Sequence, residues 1–349
     1  MSRKAHSPRI LFDEQLVLDK LSKLKDPLEK LAQIIDFEFF RDSLDRKLGR
    51  DISKRNKGGR PPYDCVLMFK ILILQRYYGL SDDNMEFQIL DRFSFKRFLC
   101  VDLACDIPDS KTIWLFKEQL GKSDGGIKDL FDLFVGKLEI LGFVANEGKM
   151  VDASFVEDPR QRNSREENKQ IKQGEVPEEW KKEENKHKLA QKDTEARWTK
   201  KNNQVYYGYK DHVKSDTKSK LVTGYTVTTA NVHDSQTLEG LLDERDHNQP
   251  LFADSAYTGE EQEKVIKLKE MRYEVCEKGK RNTPLTKEKV TSNREKSKTR
   301  ARVEHIFGFI ENSMGGSYVI NPAVIDLYLG SIIDAFMVKI FDYPCRTSL

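Results

Sequence analysis

Apolar residues recur at helical spacing over 28–48 and again over 65–78, past the break Gly58-Gly59-Arg60-Pro61-Pro62. Asp64 stands where it can cap the second of these helices and Gly79 where it can end it. Ser81 opens a further helical stretch over 82–93, and Pro108-Asp109-Ser110 opens one that carries Trp114 and Phe116 to Gly121. A last amphipathic run over 127–141 stops at Gly142. The pattern predicts an all-helical N-terminal domain over 1–145. Short Gly-containing connections between its helices fit plain packing and also fit a helix-turn-helix that reads DNA.

From Lys149 the periodicity changes. Residues 149–155 carry apolar and β-branched side chains on a strand pattern, and a long polar tract follows over 157–203, in which Trp180 and Trp198 are almost the only core-forming residues. Two runs rich in Val, Tyr and Thr, 205–213 and 221–230, flank Ser215-Asp216-Thr217-Lys218-Ser219 and predict a β-hairpin. A capped helix over 235–242 comes next. The chain then alternates: strand 250–255, helix 259–269, strand 272–277, a basic loop, and helix 297–312. A three-strand meander that continues into β-α-β crossovers gives a mixed sheet covered by helices. This order is that of the ribonuclease H-like fold, so an α/β domain over 146–316 is expected, with the polar insertion at 157–203 and a helical tail over 317–349.

Composition changes this picture little. The 349 residues hold 60 Lys+Arg against 57 Asp+Glu, a net charge of +3, which does not by itself announce a nucleic-acid binder. The distribution says more: basic residues bunch over 160–165, 181–192, 278–281 and 287–302. Such bunches can track phosphates, although Lys181-Lys182-Glu183-Glu184 alone reads as solvated helix surface. The five cysteines are odd in number and contain no Cys-x-x-Cys pair, which fits buried reduced thiols in a cytoplasm rather than a zinc site or a disulfide framework. Neither a signal peptide nor a membrane span is expected, because Asp334 and Lys339 interrupt the most apolar stretch, 329–341.

Three acids occupy places that the predicted topology would bring together. Asp152 lies in the first strand between Val151 and Ala153, and Asp254 ends the run Leu251-Phe252-Ala253 at a strand's carboxyl end, where open α/β sheets place ligands. Glu304 sits on the last helix, at the edge of the stripe Val303, Ile306, Phe307 and Ile310, and is expected to face the sheet. Two Asp and a Glu suit Mg2+ or Mn2+, whose charge can assist in-line displacement at a phosphodiester. Taken singly, each acid also reads as a turn, cap or ion-pair residue. For Arg300, one turn before Glu304, a helical pair and a phosphate clamp both fit. Asp234 reads as an N-cap and His212 as structural. No Gly-rich nucleotide motif, serine nucleophile elbow or zinc-ligand spacing is present.

The chain also resembles the DDE transposases of bacterial insertion sequences, in particular the "insertion sequence five" group. The matching runs include Gly59-Arg60-Pro61, Asp91-Arg92-Phe93-Ser94-Phe95, Ile107-Pro108-Asp109 and Pro159-Arg160-Gln161-Arg162-Asn163. They continue through Tyr207-Gly208-Tyr209-Lys210, Val232-His233-Asp234-Ser235, Ala253-Asp254-Ser255-Ala256-Tyr257 and Arg302-Val303-Glu304-His305-Ile306-Phe307-Gly308. The resemblance implies a DNA-recognising helical domain and a catalytic domain with Asp152, Asp254 and Glu304 as catalytic and metal-binding acids. In the Tyr-Arg-Glu-Lys signature of this superfamily the Arg falls on Arg300, while Ser297 stands at the Tyr position and Glu311 at the Lys position. The tail beyond residue 317 is poor in the Arg that relatives carry.

The expected function is therefore recognition of inverted-repeat ends in double-stranded DNA, metal-dependent phosphodiester hydrolysis and strand transfer into target DNA. A homodimer or larger synaptic assembly, working on the nucleoid in the cytoplasm, is expected to carry this out. The expected DNA contacts are Arg160, Arg162, Lys181, Lys182, Lys210, Arg300 and Arg302. An impaired derivative that represses by binding, and a metal nuclease without strand joining, are the rival readings.

Overall fold

The computed structural model describes residues 13–50, 61–123, 127–158, 162–185, 192–201, 203–279 and 284–313. The expected break at 58–60, the basic residue Arg160 and the tail over 317–349 lie outside the described residues. The chain divides into two compact units between Asp124 and Gly125.

The first unit is helical, with α1 (Asp13–Lys23), α2 (Pro27–Ile34), α3 (Arg41–Lys47), α4 (Cys65–Tyr77), α5 (Asp82–Asp91), α6 (Phe93–Leu99) and α7 (Ser110–Lys122). The long helix predicted over 28–48 is instead two helices around a 3-10 turn at Phe37–Phe40, because the Asp36 carboxylate accepts from Glu38 N and starts a new segment. The predicted caps form: Asp64 accepts from Val66 N and Leu67 N, Ser81 from Asn84 N, and Asp109 from Thr112 N. Helix α4 is apolar on every side and buries ten of its residues, so it is the centre of this unit.

The second unit begins with α8 (Lys128–Ile140), which the sequence groups with the helices before it. Its Phe131 meets the Tyr225 ring edge-on, at 5.1 Å and 87°, and this contact docks the helix on the sheet. The sheet is built from β1 (Lys149–Glu157), β2 (Arg197–Lys201), β3 (Gln204–Asp216), β4 (Val222–Thr229), β5 (Pro250–Ala253) and β6 (Arg272–Val275). Antiparallel β4, β3 and β1 form the predicted meander, and β5 and β6 join parallel to β1, which is the ribonuclease H-like order. Between β4 and β5 runs α11 (Leu238–Leu241) and between β5 and β6 runs α12 (Glu260–Leu268), and the described chain closes with α13 (Lys287–Arg300) and α14 (Arg302–Ser313).

Two features depart from the expected elements. The basic run after β6 is helix α13 rather than loop, capped by Thr286 and without a buried residue, so the apolar pattern could not announce it. The polar tract is folded. It holds α9 (Arg165–Lys172), α10 (Glu178–Lys181) and β2, which pairs with the first half of β3. Trp180 is buried and donates to Glu167, which also binds Lys192 and closes the Ser164 capping box. Tyr209 donates to the buried Asp193 at 2.6 Å. At Gly208, with φ +143°, β3 passes so close to β1 that a Cβ would lie 2.3 Å from the Val156 carbonyl oxygen.

Candidate active site

Parallel pairing aligns Met150 of β1 with Phe252 of β5. Two residues further along each strand, Asp152 and Asp254 therefore stand side by side on one face of the sheet. The opposite face of β1 carries Val151, which is fully buried in a cluster with Leu238, Leu241, Leu251 and Tyr257. Asp254 follows the last residue of β5 and caps the one-turn 3-10 segment Ser255–Tyr257, its Oδ1 accepting from Ala256 N at 2.8 Å. The cap uses one oxygen only. Asp254 Oδ2 has no hydrogen bond among the described residues.

Asp152 has both oxygens engaged. Oδ1 accepts from Ala153 N at 2.9 Å, and Oδ2 accepts from Arg300 at 2.7 Å. Burial pushes its carboxyl above the usual carboxylate range, and the charge of Asp254 adds to this, against the opposing pull of the Ala153 N–H and Arg300. Arg300 ends α13 and reaches Glu304 of α14 as well, at 3.7 Å. One guanidinium thus ties the acid of the strand to the acid of the helix.

Glu304 departs from its expected orientation. Val303 and Ile306 are fully buried, whereas the Glu304 side chain is 65% exposed, because a step of one residue turns it about 100° from Val303 toward solvent. Among the described residues no three Asp, Glu, His or Cys side chains are disposed to hold one metal ion. The register sets Asp152 beside Asp254, and Arg300 links Asp152 to Glu304.

The other expected residues distribute unevenly. Lys210 is buried, its ammonium donating to Val232 O at 2.7 Å and to Asp234 at 2.8 Å, so it is an internal ion pair and not a surface group that can meet phosphate. Asp234 accordingly is its partner and not a cap; His233 caps that turn. Arg302 is exposed and donates to Thr217 O, while Arg162 is bound to Glu157 at 3.1 Å and lies over the Trp198 ring. Lys181 and Lys182 are exposed. His212 is buried against Thr228 at 2.8 Å, as a structural histidine would be. Cys100 and Cys105 are exposed, against the expectation of buried thiols, while Cys65 and Cys276 are buried.

The surroundings of three further groups were not expected. Ser297 and Glu311, at the signature's Tyr and Lys positions, contact Cys276 and Ser154 respectively, the latter at 2.8 Å. Tyr257 is buried in the cluster that holds Val151, and its hydroxyl has no hydrogen-bond partner among the described residues. It lies within the run Ala253-Asp254-Ser255-Ala256-Tyr257, but nothing in its spacing distinguishes it from a core aromatic.

Two family models match the chain: a transposase domain, DUF772, over residues 16–119, and a transposase DDE domain over residues 147–318. Among solved structures, the chain is similar to the cryo-EM structure of the piggyBac transposase synaptic complex with hairpin DNA. That likeness covers 90% of this chain and 74% of that one, with a TM-score of 0.44 at 11% sequence identity.

Proposed function

Because the chain belongs to the DDE transposases of the insertion-sequence type, we propose that Asp152, Asp254 and Glu304 are its catalytic acids. The substrate of this DNA transposase is the inverted-repeat end of its own element, within the "insertion sequence five" group. The observation that carries the reading is the pairing of Asp152 with Asp254 on adjacent parallel strands, with Arg300 linking them to the helix of Glu304.

The family depends on a divalent metal. The residues fit one: the donors are all carboxylate oxygens, Asp254 has an oxygen to spare, and burial leaves the Asp152 charge undercompensated. Mg2+ or Mn2+ held by Asp152 and Asp254, with Glu304, would supply stabilisation of the charge that develops on the attacking and leaving oxygens. Arg300 holds Asp152 and Glu304 in place until a DNA phosphate draws its guanidinium, which then clamps the strand to be cut. Arg162, Lys181, Lys182 and Arg302, all on the surface, join Arg160 in meeting the DNA backbone, while the helical domain reads the sequence of the end.

The assembly is a homodimer or larger, since two ends must be brought together, and it works on the nucleoid in the cytoplasm. Among the described residues no helix is long and apolar enough to cross a membrane. A labelled end fragment incubated with plasmid DNA and Mg2+ tests the reading. Joined product from the parent protein, and none from Asp254→Asn, supports it; cleavage without joining makes the protein a nuclease instead.

A further inference from the structure

Helix α13 carries six basic side chains against two acidic ones, an excess greater than the net charge of +3 of the whole chain. At about 100° per residue these cations fall into two stripes on nearly opposite sides of the helix. Lys289, Lys296 and Arg300 share the side that meets the sheet, and each has an acid there. Lys289 pairs with Glu277, Lys296 lies 3.6 Å from Glu274, and Arg300 lies 2.7 Å from Asp152. Asn293, on the same side, exchanges two hydrogen bonds of 2.9 Å with the backbone of Glu277.

The other stripe is Lys287, Arg294 and Lys298. All three are exposed, and none makes a side-chain hydrogen bond or ion pair among the described residues. Glu288 and Glu295 stand about a quarter turn to one side. The stripe packs against nothing, since no residue of α13 is buried. Arg294 and Lys298, four residues apart, are a like-charge pair that weakens a helix slightly, so helix stability does not select them.

From Lys287 to Lys298 the stripe runs about 17 Å, over which one strand of a duplex presents about five phosphates. Charge complementarity commits this face to a nucleic-acid backbone. Ammonium and guanidinium groups set along one side of a helix hold phosphates without reading bases. The line also runs past the acids instead of ending at them, because Lys298 stands only two residues before Arg300 yet on the side turned away from Asp152. A cut element end stops at the acids, whereas a target duplex continues on either side of the attacked phosphate.

We propose that Lys287, Arg294 and Lys298 form a docking surface for the target duplex, which they hold by its phosphates and without regard to sequence. The proposal rests on the reading of this chain as a strand-joining transposase with Asp152, Asp254 and Glu304 as its acids.

The test uses the full-length protein and a variant that combines Lys287→Ala, Arg294→Ala and Lys298→Ala, since alanine keeps an exposed helix formed. Binding is followed against salt for two labelled DNAs: a pre-cut end fragment, and a duplex of unrelated sequence added to protein already saturated with unlabelled end. In the variant the log-log slope for the unrelated duplex should fall by roughly 2.7, at about 0.9 for each phosphate left without its cation. The slope for the end fragment should stay that of the parent, and joining of that end should need more plasmid for the same yield. A second variant, with Lys287→Arg, Arg294→Lys and Lys298→Arg, keeps the charges and should bind both DNAs as the parent does.

An unchanged slope for the unrelated duplex overturns the proposal and makes the stripe solvated surface. Equal loss of slope for both DNAs overturns it too, because the stripe then holds the end, and so does a loss in the charge-keeping variant, which traces the effect to the helix and not to its cations. The underlying reading fails differently. A parent that joins no end, yet loses slope with the stripe, removes strand joining and leaves a DNA-binding face, whereas a parent that joins ends with a slope indifferent to the stripe removes the stripe alone.

Discussion

Strand β1 buries charge at two places, and the two are handled in opposite ways. At its start Lys149 joins Lys214 of β3 around Asp246, with all three side chains 1% exposed. Lys214 lies 2.7 Å from Asp246 and 3.0 Å from Asp243, and Arg245 covers Asp243 from outside at 2.7 Å. Three residues further on, Asp152 and Asp254 stand together, and among the described residues Arg300 is the cation that bonds Asp152. The first cluster is close to internally neutral and serves to fasten strands to loops. The second is short of positive charge, and that shortage is what a cation or a DNA end can use. A buried charge marks chemistry when its compensation is left incomplete, not merely because it is buried.

The contrast breaks most readily at the acids. Asp152→Asn, Asp254→Asn or Glu304→Gln should each lower end cleavage by about 10^3-fold while the variants fold and bind ends, because several kcal/mol of transition-state stabilisation is lost at about 1.4 kcal/mol per decade. Combining two should add little, since the acids act as a unit. A rate within about tenfold of the parent at saturating Mg2+ removes that residue from the site.

The opposite response is expected at the other cluster. Lys214→Met leaves Asp246 and Asp243 without their shared partner and should cost about 3–5 kcal/mol in urea unfolding, with the cleavage rate per folded molecule unchanged. A loss below about 1 kcal/mol would mean that water reaches the cluster and that the two regions hold their charges in much the same way.

Between these extremes stands His212, buried and held down at about 4 from an ordinary 6.5. Since the unfolded chain takes up a proton that the folded one refuses, the contribution is intact above pH 6.5 and is lost as pH falls toward 4. The slope is up to about 1.4 kcal/mol per pH unit. Unfolding measured from pH 7 to pH 5 should show it, and His212→Gln should flatten it; an equal slope in that variant assigns the dependence elsewhere.

The smallest effect per residue belongs to the basic residues of the insertion. Replacing Arg160, Arg162, Lys181 or Lys182 by Ala should lower the log-log salt dependence of DNA binding by about 0.9 for each phosphate left without its cation, for matched and unmatched DNA alike. Lys210→Ala should leave that slope alone and lower stability instead, because its ammonium is spent on Asp234. A slope unchanged in all four variants would return the insertion to solvated structure.

By itself the sequence determined the order of strands and helices, most of the caps and the candidate acids, because each is written locally. A period of two or 3.6, a Ser or Asp before an apolar run, and an acid at the end of a strand are all features of neighbouring residues. Tertiary structure alone decided what those side chains meet. Helix α13 and strand β2 were not legible, since polar surface carries no apolar period and β2 forms only by pairing with β3. Lys210 reads as a surface cation until Asp234, 24 residues away, is folded against it. Glu304 reads as inward until Val303 and Ile306 take the inner face. Compensation of charge depends on distances between residues remote in sequence, and no local pattern contains it.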